Sequence, residues 1–270
     1  MEIKKYTWNI YLFICFTTIL ASCQKSGVST DASLPVVQAY LYAGHPLTVK
    51  LYKQKSLTDT AKYGAAITGQ TLSVSDGSNQ VKLTEGANGV YTYSDSTFLV
   101  AGKTYTLTFE YLSKKISAQT IMPYKPQGFA TQHVSVTYVS STDLNAVADT
   151  LNAFTWTNPD SLNHVLVFNN LDDTFFPLSG GGERGGVSSN IFERNTDRKS
   201  VFYVVTNNFP YYGSYQVILL RVNQEYIDLL KSNTLGANSQ NLLNIPTNVV
   251  NGLGIFTAMQ SDTLNFTLLK

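Results

Sequence analysis

The chain has 270 residues, of which 14% are charged and 12% aromatic, and its formal charge is +1. A charged fraction below the roughly 25% of an ordinary soluble protein, with many Tyr, Thr and Ser, predicts an exported β-rich chain and excludes disorder throughout. Removing Lys4, Lys5 and Glu2 with the expected leader leaves 17 basic and 17 acidic residues; this neutral balance argues against a nucleic-acid partner, because such affinity comes mainly from neutralised phosphates.

Residues 1–22 open with Lys4 and Lys5 and continue through a mostly apolar stretch from Ile10 to Ala21. That stretch is shorter than the roughly 20 residues a spanning helix needs, and it reads as the core of a signal peptide. Leu20-Ala21-Ser22-Cys23 resembles the lipobox of bacterial lipoproteins. The resemblance implies cleavage before Cys23, a diacylglyceryl group on its sulfur, an acylated new amino terminus and therefore palmitate labelling. Several acyl chains, at about 0.8 kcal/mol per buried methylene, anchor a protein stably where one does not. An ordinary secretory signal or an uncleaved anchor is the alternative. Cys15 leaves with the leader and Cys23 is taken by lipid, so no disulfide, thiol chemistry or Cys-ligated metal is expected. Residues 23–32, polar and without periodicity, read as a flexible tether.

From Leu34 onward the dominant pattern is alternation. Leu72 and Val74, then Tyr105, Leu107, Phe109 and Tyr111, then Val134, Val136 and Tyr138, are each separated by polar residues, as in strands with one buried face. Turn residues fall between them at Asp76-Gly77-Ser78-Asn79, Gly86-Ala87-Asn88-Gly89 and Ala101-Gly102-Lys103. Prolines 123 and 126 follow a strand pattern ending near Ile121, and the domain boundary is placed there. Further strands are predicted at 153–156, 164–169, 201–206 and 215–222, and the chain ends on Leu264, Phe266 and Leu268. One short helix is predicted after Asn223 as its cap, with Glu225 in its first turn, Tyr226, Leu229 and Leu230 on one face, and Lys231 in its last turn. The expected fold is all-β: an immunoglobulin-like or transthyretin-like β-sandwich over 33–123 and a second β-rich domain over 124–270 that carries the helix.

Three features together carry a wider resemblance: the lipobox, the segments Gly64-Ala65-Ala66-Ile67-Thr68 and Ala101-Gly102-Lys103-Thr104-Tyr105-Thr106-Leu107, and the late Asn251-Gly252-Leu253-Gly254-Ile255-Phe256. The chain resembles a Bacteroidetes-type outer-membrane lipoprotein family catalogued as domain of unknown function 4249. The resemblance implies a lipid-anchored protein of the outer membrane, on its periplasmic or surface face, encoded near TonB-dependent receptors. It brings no established activity and no catalytic residues to carry over.

The search for chemistry in the residues yields little. His45, His133 and His164 lack any zinc-binding spacing, so no metal is expected. Gly186-Val187-Ser188-Ser189-Asn190 lacks the last glycine of a nucleophile elbow, and no Lys-Ser or Lys-Thr follows the glycine-rich run at 180–186. Asp172 and Asp173 are adjacent and, on a strand, point to opposite faces; with Asp160 they are the carboxylates of an enzymatic alternative. The stronger signal is aromatic and loop-borne. Phe175 and Phe176 run into the glycine-rich loop holding Arg184, and Phe209, Tyr211 and Tyr212 form a second aromatic turn, the residue types that anchor partners. The expectation is a nonenzymatic accessory protein without cofactor that binds an outer-membrane receptor protein. The alternative is a substrate-binding lipoprotein recognising glycan or peptide through the same loops.

Overall fold

A computed structural model describes residues 34–55, 60–61, 63–138, 150–178, 190–205, 209–234 and 246–270. Residues 34–270 gather into one compact unit. The first hairpin follows directly from alternation: β1 (Pro35–Tyr42) and β2 (Leu47–Lys53) point Val37, Ala39 and Leu41 and Leu47, Val49 and Leu51 inward. Short strands continue as β3 (Ser73–Ser75), β4 (Gln80–Lys82), β5 (Thr84–Glu85) and β6 (Val90–Tyr93), then the longer hairpin β7 (Thr104–Tyr111) and β8 (Lys114–Ile121). The second half adds β9 (Gln127–Thr131), β10 (Ser135–Thr137), β11 (Thr150–Thr157), β12 (His164–Asn170), β13 (Phe176–Pro177), β14 (Ile191–Asn195), β15 (Val201–Val205) and β16 (Tyr211–Val222). A single described α-helix, α1 (Gln224–Thr234), precedes β17 (Val249–Val250) and the 17-residue β18 (Leu253–Leu269).

The protein is all-β, as expected, and is built of sandwiches. A ten-stranded sheet runs in the order β14-β12-β16-β18-β1-β2-β6-β5, with β10 and β13 added at β18 and β16. Strands from both sides of Pro123 therefore sit in one sheet. A five-stranded sheet, β17-β8-β7-β3-β4, closes over the β1–β2 side of it, burying Tyr105, Leu107, Ile116 and Met122 against Val37, Leu47 and Leu51. A three-stranded sheet, β15-β11-β9, supplies Phe154, Trp156 and Val204 to a second core against Leu166, Phe168, Val217, Leu219 and Phe266. On the opposite face α1 lays Tyr226 and Ile227 on Val165, Leu220, Val222, Ile255 and Met259.

β18 joins all three cores. Phe256 and Ala258 belong to the first, Phe266 and Leu268 to the second, and Ile255 and Met259 to the third. It pairs antiparallel with β16 along ten residues and parallel with β1 along seven. The Asn-Gly-Leu-Gly-Ile-Phe run forms its entrance. Asn251 takes a left-handed φ of 58° and its Nδ2 donates to the Lys115 carbonyl at 2.9 Å. Gly254, at φ 94°, faces Val37 of β1 so closely that a Cβ would overlap the Val37 carbonyl oxygen. These residues are thus explained by backbone approach.

Asn223 does something other than the capping predicted for it. Its Nδ2 donates to Thr120 Oγ1 at 2.9 Å and to the Ile121 carbonyl at 2.8 Å, turning the side chain toward β8. Glu225 Oε1 accepts from Thr120 Oγ1 at 2.7 Å and Thr257 Oγ1 at 3.1 Å. The helix entrance is thereby pinned across both sheets, with buried Thr120 and Thr257 satisfied as buried hydroxyls must be. No described helix is long and apolar enough to cross a membrane.

Candidate functional site

The aromatic residues singled out in the sequence divide into two groups. β13 pairs with the start of β16, Phe176 opposite Tyr212 and Pro177 opposite Tyr211. Phe176 is 62% exposed, Phe175 is 39% exposed, and the Phe175 ring lies 5.2 Å from half-buried Tyr211. Phe175 and Tyr211 form one exposed patch, while Phe176, level with Tyr212 in the register, is exposed apart from it. Phe209 and Tyr212, expected on the same loops, instead belong to the second core. Tyr211 and Tyr212 are successive strand residues and so point to opposite faces; Tyr212 packs inward beside Tyr138. Phe209 is ringed by Phe168, Phe192, Tyr215 and Phe266. Arg184 and Cys23 lie outside the described residues.

The carboxylates of the enzymatic alternative are not gathered into one site. Asp160 lies in the exposed turn before β12, and Asp172 and Asp173 follow its far end. Seven strand residues span about 23 Å. Asp172 serves the local turn, its Oδ1 accepting from Ser214 N at 3.3 Å. Among the described residues no group of three or more His, Cys, Asp and Glu could hold a metal ion. A cleft of about 370 Å³ beside α1 is lined by Glu225, Asp228, Asn248 and Ile255, and one of about 540 Å³ by Gln70, Thr71, Ser73, Thr108 and Lys115. Neither includes the aromatic patch.

A tyrosine-rich surface escaped the sequence reading. Tyr40 and Tyr42 alternate with the buried residues of β1, and Lys50 and Tyr52 do the same on β2, so all four stand on the sheet face away from the first core. Tyr52 and Tyr63 rings lie 5.3 Å apart, and Lys50 Nζ sits 3.5 Å above the Tyr63 ring. Tyr42 meets His45 edge-on at 6.1 Å, and Tyr40 meets Tyr226 of α1 at 6.2 Å with planes 83° apart. Tyr226 Oη donates to Glu193 of β14, 3.3 Å from each carboxylate oxygen. Burial raises the Glu193 pKa above its ordinary value, and burial together with the Glu193 charge raises that of Tyr226. The signal available in sequence was the period-two placement of Tyr opposite aliphatics in Ala39-Tyr40-Leu41-Tyr42.

His164 is a structural histidine. It is 2% exposed, with Nδ1 3.1 Å from the Leu162 carbonyl and its ring 5.9 Å from Trp156. Burial, helped by the Arg221 charge, pushes its pKa down to about 4, from the usual 6.5. The unfolded chain takes up this proton below about pH 6.5 while the folded chain refuses it until about pH 4, so stability is full above that window and falls as pH drops through it. The full difference is about 3 kcal/mol. Urea unfolding at pH 7.5 and pH 5 should show this loss, and His164→Gln should remove its share of the pH dependence; an unchanged pH dependence would contradict the assignment.

A model of the family described as "Domain of unknown function (DUF4249)" matches residues 25–265. No curated protein matches the chain. Among solved structures, the crystal structure of the chicken CNTN1 FN1-FN3 domains is 10% identical, with 88% of this chain and 68% of that chain covered and a TM-score of 0.30. A segment of two fibronectin type-III domains from chicken tenascin is 11% identical, with coverage of 86% and 98% and a TM-score of 0.23.

Proposed function

The chain belongs to the DUF4249 family, and on that premise we propose that it is a nonenzymatic lipoprotein of the outer membrane that holds a partner protein, an outer-membrane barrel of a TonB-dependent receptor system. The observation that carries the reading is the set of aromatic rings left at the surface where β13 pairs with β16: Phe175 against Tyr211, and Phe176 exposed apart from them. Aromatic rings on ordered backbone supply contact area at little entropic cost, the property of interface anchors. Cys23 and its lipobox supply the membrane address. Replacing Cys23 by Ala is expected to abolish palmitate labelling and release the protein from membranes. Retained labelling would overturn the address. A pull-down of the tagged, lipidated chain in mild detergent is expected to recover a barrel in stoichiometric amount, and its absence from an intact preparation would overturn the partnership.

A second reading, capture of a glycan or peptide, is favoured by the strip of Tyr52, Tyr63 and Lys50 on the sheet face. Such amphipathic rings stack on sugars and side chains alike. A panel of soluble glycans and peptides tested on the full chain separates the readings, since saturable binding at micromolar concentration supports capture.

A further inference from the structure

Glu193 is a carboxylate without a counter-charge among the described residues. It is exposed and lies on the helix-covered face of the ten-stranded sheet, opposite Val167 of β12. Among the described residues the one hydrogen-bond donor to its carboxylate is a neutral phenol, Tyr226. Arg194, its neighbour in sequence, stacks its guanidinium 4.8 Å from the Phe192 ring and donates to the Glu193 backbone carbonyl at 3.0 Å. The ion pairs among the described residues are Lys103–Asp76 and Lys125–Asp262, neither of which involves it. A carboxylate reachable from solvent and lacking a cation of its own is open to one carried by a ligand.

What surrounds Glu193 is aromatic. Tyr226 joins it to Tyr40, ring planes nearly perpendicular, and the Glu193 charge also reaches Tyr42. β1 and β14 are separated by three strands in the sheet order, roughly 19 Å if the strands lay flat. The twist of the sheet draws these groups together around α1. Perpendicular rings beside a carboxylate present both elements that bind an organic cation: negative ring faces and a full opposing charge.

We propose that Tyr40, Tyr42, Tyr226 and Glu193 form a cage for an organic ammonium group, either a lysine side chain or a quaternary ammonium. The site does not depend on the membrane address and stands whether or not a barrel partner is recovered. The rings enclose the alkyl groups flanking the nitrogen, and Glu193 neutralises its charge while Tyr226 Oη holds the carboxylate in place.

The test uses the full chain in maltoside detergent, titrated by calorimetry with choline chloride and, separately, with N-acetyl-lysine amide. Saturable binding of either probe is expected, and the tighter of the two identifies the source. The uncharged dimethylbutanol isostere of choline should bind at least about tenfold more weakly, as should choline or the lysine derivative to Glu193→Gln. Glu193→Gln should melt within about a degree or two of the parent, because the side chain is exposed and makes no ion pair among the described residues, so weakened binding is not unfolding. Tyr226→Phe keeps the ring, loses the hydroxyl and should weaken binding less. No saturation by either probe, equal binding of the uncharged isostere, or undiminished binding by Glu193→Gln would each overturn the cage.

Discussion

Gly254→Ala is expected to lower the unfolding free energy by about 4 kcal/mol, more than any other single methyl addition among the described strands. Two costs combine. A side chain at φ 94° pays about 1–3 kcal/mol for the conformation alone. The added Cβ would also overlap the Val37 carbonyl oxygen, and neither backbone can yield without opening the parallel ladder between β1 and β18. At roughly 2–4 °C per kcal/mol for a chain of this size, the melting temperature should fall by about 10 °C or more. Gly77→Ala is the control. Its φ is 91° but its Cβ meets nothing within 4 Å, so it carries the conformational cost only. Equal losses at the two positions would show that the close approach to β1 is unimportant.

Phe209→Ala and Phe176→Ala should separate by a similar margin, although both residues belong to similar aromatic runs in the sequence. Phe209 is 5% exposed and contacts four aromatic rings at centroid distances of 4.9 to 5.7 Å. Truncating it leaves a cavity in the second core and should cost about 3–5 kcal/mol in urea unfolding. Phe176, 62% exposed, should change stability by less than about 0.5 kcal/mol. Its effect should appear in partner recovery, which drops while the melting curve stays in place. A stable Phe209→Ala protein would put that ring back on the surface, and undiminished partner recovery with Phe176→Ala would remove the Phe176 ring from the interface.

The strands legible in sequence are those with one wet face. Tyr105, Leu107 and Phe109 alternate with Thr because β7 has its other side in solvent. The first half of β18 shows no alternation, since Ile255 to Met259 are buried on both faces, between the five-stranded sheet and α1. A mixed apolar run of that kind reads equally as strand or buried turn. The aromatic turn at 209–212 was visible by composition, but its orientation depended on β16 starting at Tyr211, where the sequence pattern begins it at Tyr215. The Glu193–Tyr226 contact was invisible for a different reason. It joins an edge strand to a helix of another segment, and nothing local to either residue records the pairing.

The parallel pairing of β1 with β18 makes the first strand of the described unit the partner of its last. A chain delivered amino terminus first must hold Val37, Ala39 and Leu41 without their lateral neighbour until the final strand arrives. Non-local pairing of this kind pays its loop-closure entropy before any contact rewards it, so folding is slow and ends as a single event. Such a chain stays open along β1 until its last strand is available and locks only then. The same order exposes it to capture while the β1 edge is open, the stage at which a chaperone would have most to do.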